Sequence, residues 1–480
     1  MNRSNDYNRL KKELTTYNKN IRTDLVFVSC NFVNIIKDHP QYIKNKIDII
    51  EKNFFQYTIY VLYEILKLFY DFLKILIEKK TTIHKTKKDI LFISHHTVSN
   101  LIGKKDNYYG KIKNFFFKKK IVTYYLNHTK KKINKKLIGK NYYLSSNFKI
   151  SLKNELNILK MQFCFILKVL RIKKKNKFSK KIRNILLFEA FKLDTKKNLR
   201  TYFHINEIIK KNRIKLLIST CEGYPHEKLI FKSCFENKII SVAYQNIPLI
   251  KNQILIDKKL KHYLPKIFWS SDKFSEKKIR EYYKNSLRVI YIGSTKVFQK
   301  KIINHNIKNE ISCLVVPEGF TSETNEMFLL IKNFLENNNN KKIKFIFRIH
   351  PNLQDNKILH PLKIFSKKNE QFKLSSNNFV DDVKKSCFVL YRGSSAIINC
   401  IINGLIPLYF VNEEKIQISP FGINEYFKHH VNNSNDLSIL LNNLTLKKNI
   451  LESRIKIKTI FKNKYTSINL DELKKFRDLI

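Results

Sequence analysis

A chain of 480 residues with 43% hydrophobic content is too long for one ordinary core and too apolar to be disordered, which leads us to expect two α/β domains plus an extra segment. A formal net charge of +54 attracts polyanions, yet the lysines are spread over every segment instead of forming a stripe with interleaved aromatics, which argues against specific nucleic-acid binding. Seven cysteines, odd in number, far apart and without a CxxC pair, suggest neither a zinc site nor a disulfide framework, and a reducing cytoplasm is the expected compartment.

In chain order, the first residues are polar and lack the apolar stretch of a signal peptide. Residues 1–84 read as mainly helical, with an apolar run at Leu25–Val33 whose type stays open. Thr58–Ile77 is the one candidate for a membrane span. Its charges Glu64, Lys67, Asp71 and Lys74 fall three, four and three apart, so on a helix they form one stripe paired in sign. A spanning helix would bury all four, at roughly 2.5–3.5 kcal/mol each on insertion scales. The expectation is an amphipathic helix packed on a domain, with a peripheral inner-membrane contact or a partner as the alternative. Lys79–Lys88 reads as a linker.

From residue 89 the pattern changes to short apolar runs ending in polar residues, as buried parallel strands do. These are Asp89–Ser94 before His95-His96-Thr97, Ile121–Leu126 before Asn127-His128-Thr129, Ile214–Ser219 before Thr220-Cys221-Glu222-Gly223, and Ile239–Tyr244 before Gln245-Asn246. Helices are expected at Leu152–Leu170 and Glu227–Asn237. A second series, after the Pro265–Lys284 region, has strands at Arg288–Ile292, Ser312–Val316, Lys344–Arg348, Cys387–Tyr391 and Leu405–Tyr409, with helices at Ser322–Asn337 and Ala396–Asn403. Asn337–Asn340 reads as a loop tip, and Cys313, Cys387 and Cys400 as buried thiols. The predicted organisation is a mainly helical segment over 1–84, parallel-sheet domains over 85–265 and 285–450, and a helical tail over 451–480, with ligands at the strand carboxyl ends.

Three strand ends of the second series carry the candidate chemistry: Pro317-Glu318-Gly319, Arg348-Ile349-His350-Pro351 and Arg392-Gly393-Ser394-Ser395-Ala396. Glu318 places a carboxylate at the ligand edge, and Gly319 permits close approach. The Gly393-Ser394-Ser395 turn offers N–H groups, two hydroxyls and the positive end of a helix to a phosphate; Arg392, Arg348, His350 and Pro351 belong to the same rim. Each motif alone also reads as ordinary structure: an N-cap, a turn with a satisfied histidine, a turn tripeptide. Convergence on one rim favours function. Asp381-Asp382, the nearest acidic pair, precedes a helix and reads as N-capping, so no metal site and no cofactor is expected. In the first domain His95 and His96, Glu222 and Glu227 end strands on the same cleft, although Glu227 in a first helical turn is also what the helix dipole favours. No GxGxxG, Walker loop, HExxH or GxSxG occurs.

The order acidic-Gly, His-Pro, serine pair, over roughly 219–443, resembles the bacterial sialyltransferases and their relatives in surface carbohydrate (O-antigen, lipopolysaccharide, capsule) biosynthesis. The resemblance implies a GT-B-like fold, two Rossmann-like domains facing a cleft, and an inverting, metal-independent glycosyltransferase using a CMP-linked sugar. It implies a first domain for a glycan or lipid-linked glycan acceptor and a second for the nucleotide-sugar. Glu318 would be the general base, His350 would meet the donor phosphate, and Ser394 and Ser395 would hold it; Glu222, Glu227 and His95 would contact acceptor. Pro317 stands where the family often has a second acid, which leaves sialic acid as donor sugar open. A CDP-glycerol-type glycerophosphotransferase and a non-catalytic basic protein binding polyanions or membrane stay open as alternatives.

Overall fold

A computed structural model describes residues 9–31, 54–77 and 87–478, apart from 11, 15, 18, 98–99, 103–105, 117–118, 129–140, 148–149, 174–175, 250–254, 298–310, 338–341, 352, 354–355, 412–417, 421–428, 445–446 and 462. The expected linker at Lys79–Lys88 and loop tip at Asn337–Asn340 fall largely outside the described residues.

Two all-parallel sheets form the body. The first has seven strands, β1 Ile90–His96, β2 Ile121–Asn127, β3 Tyr142–Leu144, β4 Leu216–Thr220, β5 Ile240–Tyr244, β6 Ile267–Ser270 and β7 Arg288–Tyr291, in spatial order β3-β2-β1-β4-β5-β6-β7. The second has six, β8 Ile311–Val316, β9 Ile343–Phe347, β10 Phe372–Leu374, β11 Phe388–Tyr391, β12 Ile406–Phe410 and β13 His430–Val431, in order β10-β9-β8-β11-β12-β13. Every residue of β1 and β4 is buried, because helices cover both faces of a parallel sheet. The order reverses direction between β1 and β4 in one sheet and between β8 and β11 in the other. Such switch points open a crevice at the strand carboxyl ends, where ligands bind in doubly wound folds. The two Rossmann-like domains expected from the sequence are therefore present.

The strand Arg288–Tyr291, expected to open the second series, instead pairs with β6 as the edge of the first sheet. The Pro265–Lys284 region is likewise not a gap between domains: it supplies β6 and the helix Lys273–Tyr283, whose N-cap Asp272 accepts from Ser275 N at 2.8 Å. These elements escaped notice because β6 is only four residues long and its lead-in is rich in lysine.

The N-terminal segment docks on a helical layer. We label α1 Phe54–Ile77, α2 Leu152–Leu170, α3 Lys177–Phe191, α4 Leu193–Asn212 and α5 Pro225–Glu236. Leu25–Ser29, whose type the sequence left open, is a short helix capped by Asp24, and its Val26 and Phe27 join Ile158, Phe165, Ile182 and Leu199 in one apolar cluster. At the other end of the chain Lys447–Phe461 packs on the second domain, while Leu470–Asp478 returns to the first, with Phe476 against Trp269 at 5.0 Å between ring centroids. Cys313, Cys387 and Cys400 are buried thiols as expected.

Candidate active site

The second sheet brings its three strand-end motifs into contact. β9, β8 and β11 are neighbours, so the turns after them lie side by side. A Cβ placed on Gly319 would sit 2.9 Å from His350 Nδ1, so the imidazole occupies the space a side chain at 319 would take. A Cβ on Gly393 would sit 1.8 Å from Glu318 Oε1 and 2.6 Å from Ile418 Cδ1. The bare glycines are what allow these turns to touch. Ser394, buried, and Ser395, half-buried, follow Gly393 into the six-residue helix Ile397–Ile402, which starts one residue later than expected.

Four second-domain residues have settings other than those expected. Glu318 is only 7% exposed and its Oε1 is buried against Gly393, so that oxygen does not stand open on the rim to meet an acceptor. Arg392 is 1% exposed, with its guanidinium 3.5 and 3.8 Å from the carboxylates of Glu323 and Glu326. Arg348 donates to Asp382 at 2.7 Å and to Asn377 O at 2.9 Å, which ties the end of β9 to the helix Phe379–Lys385. Asp382 is therefore an ion-pair partner in the first turn of that helix, and Asn378 is its N-cap. Pro351 is exposed in the turn after His350.

The first sheet supplies the facing side. His95, at the end of β1, lies between His128 (its Nδ1 2.9 Å from His128 Nε2) and Thr220 (its Nε2 2.9 Å from Thr220 Oγ1). His96 is fixed instead by Asn127 Oδ1 at 3.0 Å. The loop after β1 is organised by Asp106, which accepts from Tyr108 N at 2.9 Å and from Lys113 Nζ at 2.5 Å. Burial raises the pKa of Asp106, but the lysine more than offsets this and holds the carboxyl below its usual value. Tyr108 is thereby set beside His95, ring centroids 4.8 Å apart.

Glu227 has a structural task. Its carboxylate accepts from Glu222 N at 2.9 Å, Gly223 N at 2.7 Å and Tyr224 N at 2.8 Å, reaching back from the first turn of α5 to the backbone of the loop before it. The expected acceptor contact from Glu227 is thus replaced by support of the loop that presents Glu222. Removing a buried acceptor from three N–H groups is costly: Glu227→Ala should lower stability by about 2–5 kcal/mol, read from chemical denaturation, whereas Glu222→Ala should change it by less than about 1 kcal/mol.

The half-buried Glu222 is the electrostatic centre of this edge. Burial followed by the charge of Glu222 pushes the Tyr108 phenol well above its usual value. Burial lowers the pKa of His128, against the opposing pull of Glu222, so its imidazole is neutral at pH 7. The same carboxylate acts on Lys296, whose pKa burial lowers.

Lys296 joins the two sides, and sequence reasoning missed it. It follows β7 in the segment Gly293-Ser294-Thr295-Lys296-Val297, which runs between the domains. Thr295 Oγ1 donates to Tyr108 O at 2.9 Å on one side, and Asn399 Nδ2 donates to Lys296 O at 2.9 Å on the other. Its ammonium lies 5.5 Å from the centre of the Tyr108 ring, and solvent reaches it although protein surrounds it. Burial, then the Lys296 charge, holds the pKa of His350 below its usual value. The charge of Glu222 thus acts on both His128 and Lys296, and that of Lys296 acts on His350. The missing signal was the strand-end rule applied to β7, which the wrong sheet assignment hid. Among 93 Lys and Arg residues, composition could not single out one lysine. Among the described residues no group of three or more His, Cys, Asp or Glu is arranged to hold a metal ion.

No protein-family model matches the chain, and no curated protein matches it in sequence. Solved structures follow its backbone over most of its length. MnaA of S. aureus with UDP is similar at 10% identity and a TM-score of 0.48, over 82% of this chain and 98% of that one. MurG of Acinetobacter baumannii is similar at 8% identity and a TM-score of 0.45, over 82% of this chain and 99% of that one. The wall teichoic acid polymerase TagF with CDPG is similar at 11% identity and a TM-score of 0.42, over 88% and 96%. These are similarities of backbone path, and the chemistry has to be read from this chain's own side chains.

Proposed function

We propose that the chain is an inverting, metal-independent glycosyltransferase that moves a sugar, of sialic-acid-like type, from a CMP-linked donor to a glycan or lipid-linked glycan acceptor of a surface polysaccharide. The observation that carries the reading is the convergence of the Glu318-Gly319, His350 and Gly393-Ser394-Ser395 turns at the carboxyl ends of the neighbouring strands β8, β9 and β11. Inverting transfer needs a base on the acceptor hydroxyl and fixed positive groups where charge builds on the departing phosphate. In this reading Lys296 supplies the charge, while neutral His350 donates a hydrogen bond to the phosphate beside the hydroxyls of Ser394 and Ser395. Glu222 takes the acceptor proton, with His128 beside it, and Glu318 keeps the serine turn in place. The family resemblance supports the CMP donor and the polysaccharide acceptor.

The test is thermal stability with nucleotides. At about 100 times its Kd a ligand of the folded state adds about 2.7 kcal/mol. CMP should raise Tm by several degrees, UMP and AMP by much less, and the rise should vanish in Lys296→Ala. A larger effect of CDP than of CMP would favour glycerophosphate transfer. Salt-sensitive binding of any polyanion without a nucleotide effect would leave a non-catalytic basic protein.

A further inference from the structure

α1 is turned inside out relative to an ordinary surface helix. Its two acids face the protein: Glu64 is 7% exposed and accepts from Lys67 at 2.8 Å. Asp71 receives Arg200 Nη2 at 2.6 Å, and burial, which disfavours its charge, is more than offset by Arg200 and Lys196, so its carboxyl stays below the usual range. Tyr60 packs on Phe188 of α3, ring centroids 5.3 Å apart. The apolar side faces out, with Leu66 67%, Phe69 62% and Tyr70 70% exposed. α2 buries Glu155 together with Ile158, Phe165 and Val169, yet it also leaves a second apolar side in solvent, with Leu156 54% and Phe163 58% exposed. One guanidinium joins the two helices, since Arg200 on α4 also donates from Nε to Glu155 at 2.6 Å. Arg200 and Lys196 of α4 thus pair with acids of both α1 and α2, and each of the two helices leaves large apolar side chains exposed.

We infer that the outward faces of α1 and α2 form one surface that lies on an anionic lipid bilayer. Charge selects this occupant. The only acids on the two helices, Glu64, Asp71 and Glu155, are all turned inward, whereas Lys153 and Lys160 are exposed among the leucines of α2 and Arg171 and Lys173 extend the same basic edge. A second copy of the chain would set lysine against lysine. An anionic bilayer offers acyl chains to the leucines and phenylalanines, and headgroup phosphates to the lysines. Tyr63 and Tyr70, exposed on α1, are amphipathic residues suited to the headgroup level. α1, 24 residues long, extends about 36 Å and would lie in the membrane plane; among the described residues no helix is long and apolar enough to cross a membrane. The inference does not depend on the assignment of the active site.

The test is sedimentation of the full chain with vesicles. Equimolar phosphatidylglycerol and phosphatidylcholine should retain the protein, and pure phosphatidylcholine should bind it at least tenfold less. A Leu66→Glu/Tyr70→Glu variant and a Leu156→Glu/Phe163→Glu variant should each lose tenfold or more in vesicle affinity while keeping the parental Tm. Lys153→Glu/Lys160→Glu should weaken binding by about tenfold and reduce its salt dependence, a readout that does not depend on the apolar variants folding. Parental binding in the apolar variants overturns the inference. So does absence of vesicle binding by a parental dimer that becomes a monomer in those variants, which would make the face an interface between copies. A loss of nucleotide response with intact vesicle binding would instead overturn only the enzymatic reading.

Discussion

Replacing His350 by alanine is expected to lower turnover of a nucleotide-sugar by about 10²–10³-fold, the usual scale for losing a preorganised donor at a charged leaving group. The imidazole packs against Gly319, where a Cβ would come within 2.9 Å of its Nδ1, so a bare glycine at 319 is what lets the ring sit at this strand end. Its pKa is depressed by burial and by Lys296, so at pH 7 the ring is neutral and acts as a hydrogen-bond donor, not as a second cation. The fold should persist, because the ring contributes little to either core; Tm should stay within a few degrees. Lys296→Ala should lower turnover on a similar scale and should also raise the pKa of His350, since it removes the cation that depresses it. Steady-state rates and a histidine proton titration by NMR check both parts. Near-parental rates in His350→Ala would remove the histidine from the chemistry, and an unmoved titration in Lys296→Ala would uncouple the two residues.

The second large effect concerns Gly393. An added methyl would sit 1.8 Å from the Glu318 carboxylate and 2.6 Å from Ile418, in a place where both side chains are buried. Overpacking of this kind destabilises by about 1–3 kcal/mol, and the displaced turn would carry Ser394 and Ser395 out of position. Gly393→Ala should therefore lose both stability and most activity. Combining it with Glu318→Ala removes the main clash, so the pair should recover part of the stability, a coupling that a double-mutant cycle measures. Simple additivity of the two changes would show that the carboxylate is not what the methyl meets.

Much of the architecture could be read from the sequence because parallel strands buried on both faces appear as unbroken apolar runs. β1, β2, β8 and β11 were of this kind and were placed within one or two residues. β3, β10 and β13 are three, three and two residues long and carry no periodicity to detect. The glycine and histidine turns were legible because the strand-end rule needs only chain order. Side-chain commitments were not. Nothing in Arg348 or Arg392 says that one is bound to Asp382 and the other faces Glu323, since those acids lie 34 and 69 positions away along the chain. The stripe of Glu64, Lys67 and Asp71 was visible as a stripe. Which way it faced depended on Arg200, a residue of a helix that the sequence had not revealed.

The polypeptide passes between the two domains twice, and the two passages are bonded to each other. Ser294 N donates to Thr466 O at 3.0 Å, Asn469 N donates to Ile292 O at 2.8 Å, and the Tyr291 hydroxyl lies 2.7 Å from Thr466 Oγ1. A door on a single flexible cord can twist in any direction; one hung on a paired ribbon swings about one axis. Lys296 follows the bonded stretch Ile292–Ser294, and Asn399 holds its carbonyl from the second domain, so the lysine is anchored both to the doubled connection and to the wall beyond it.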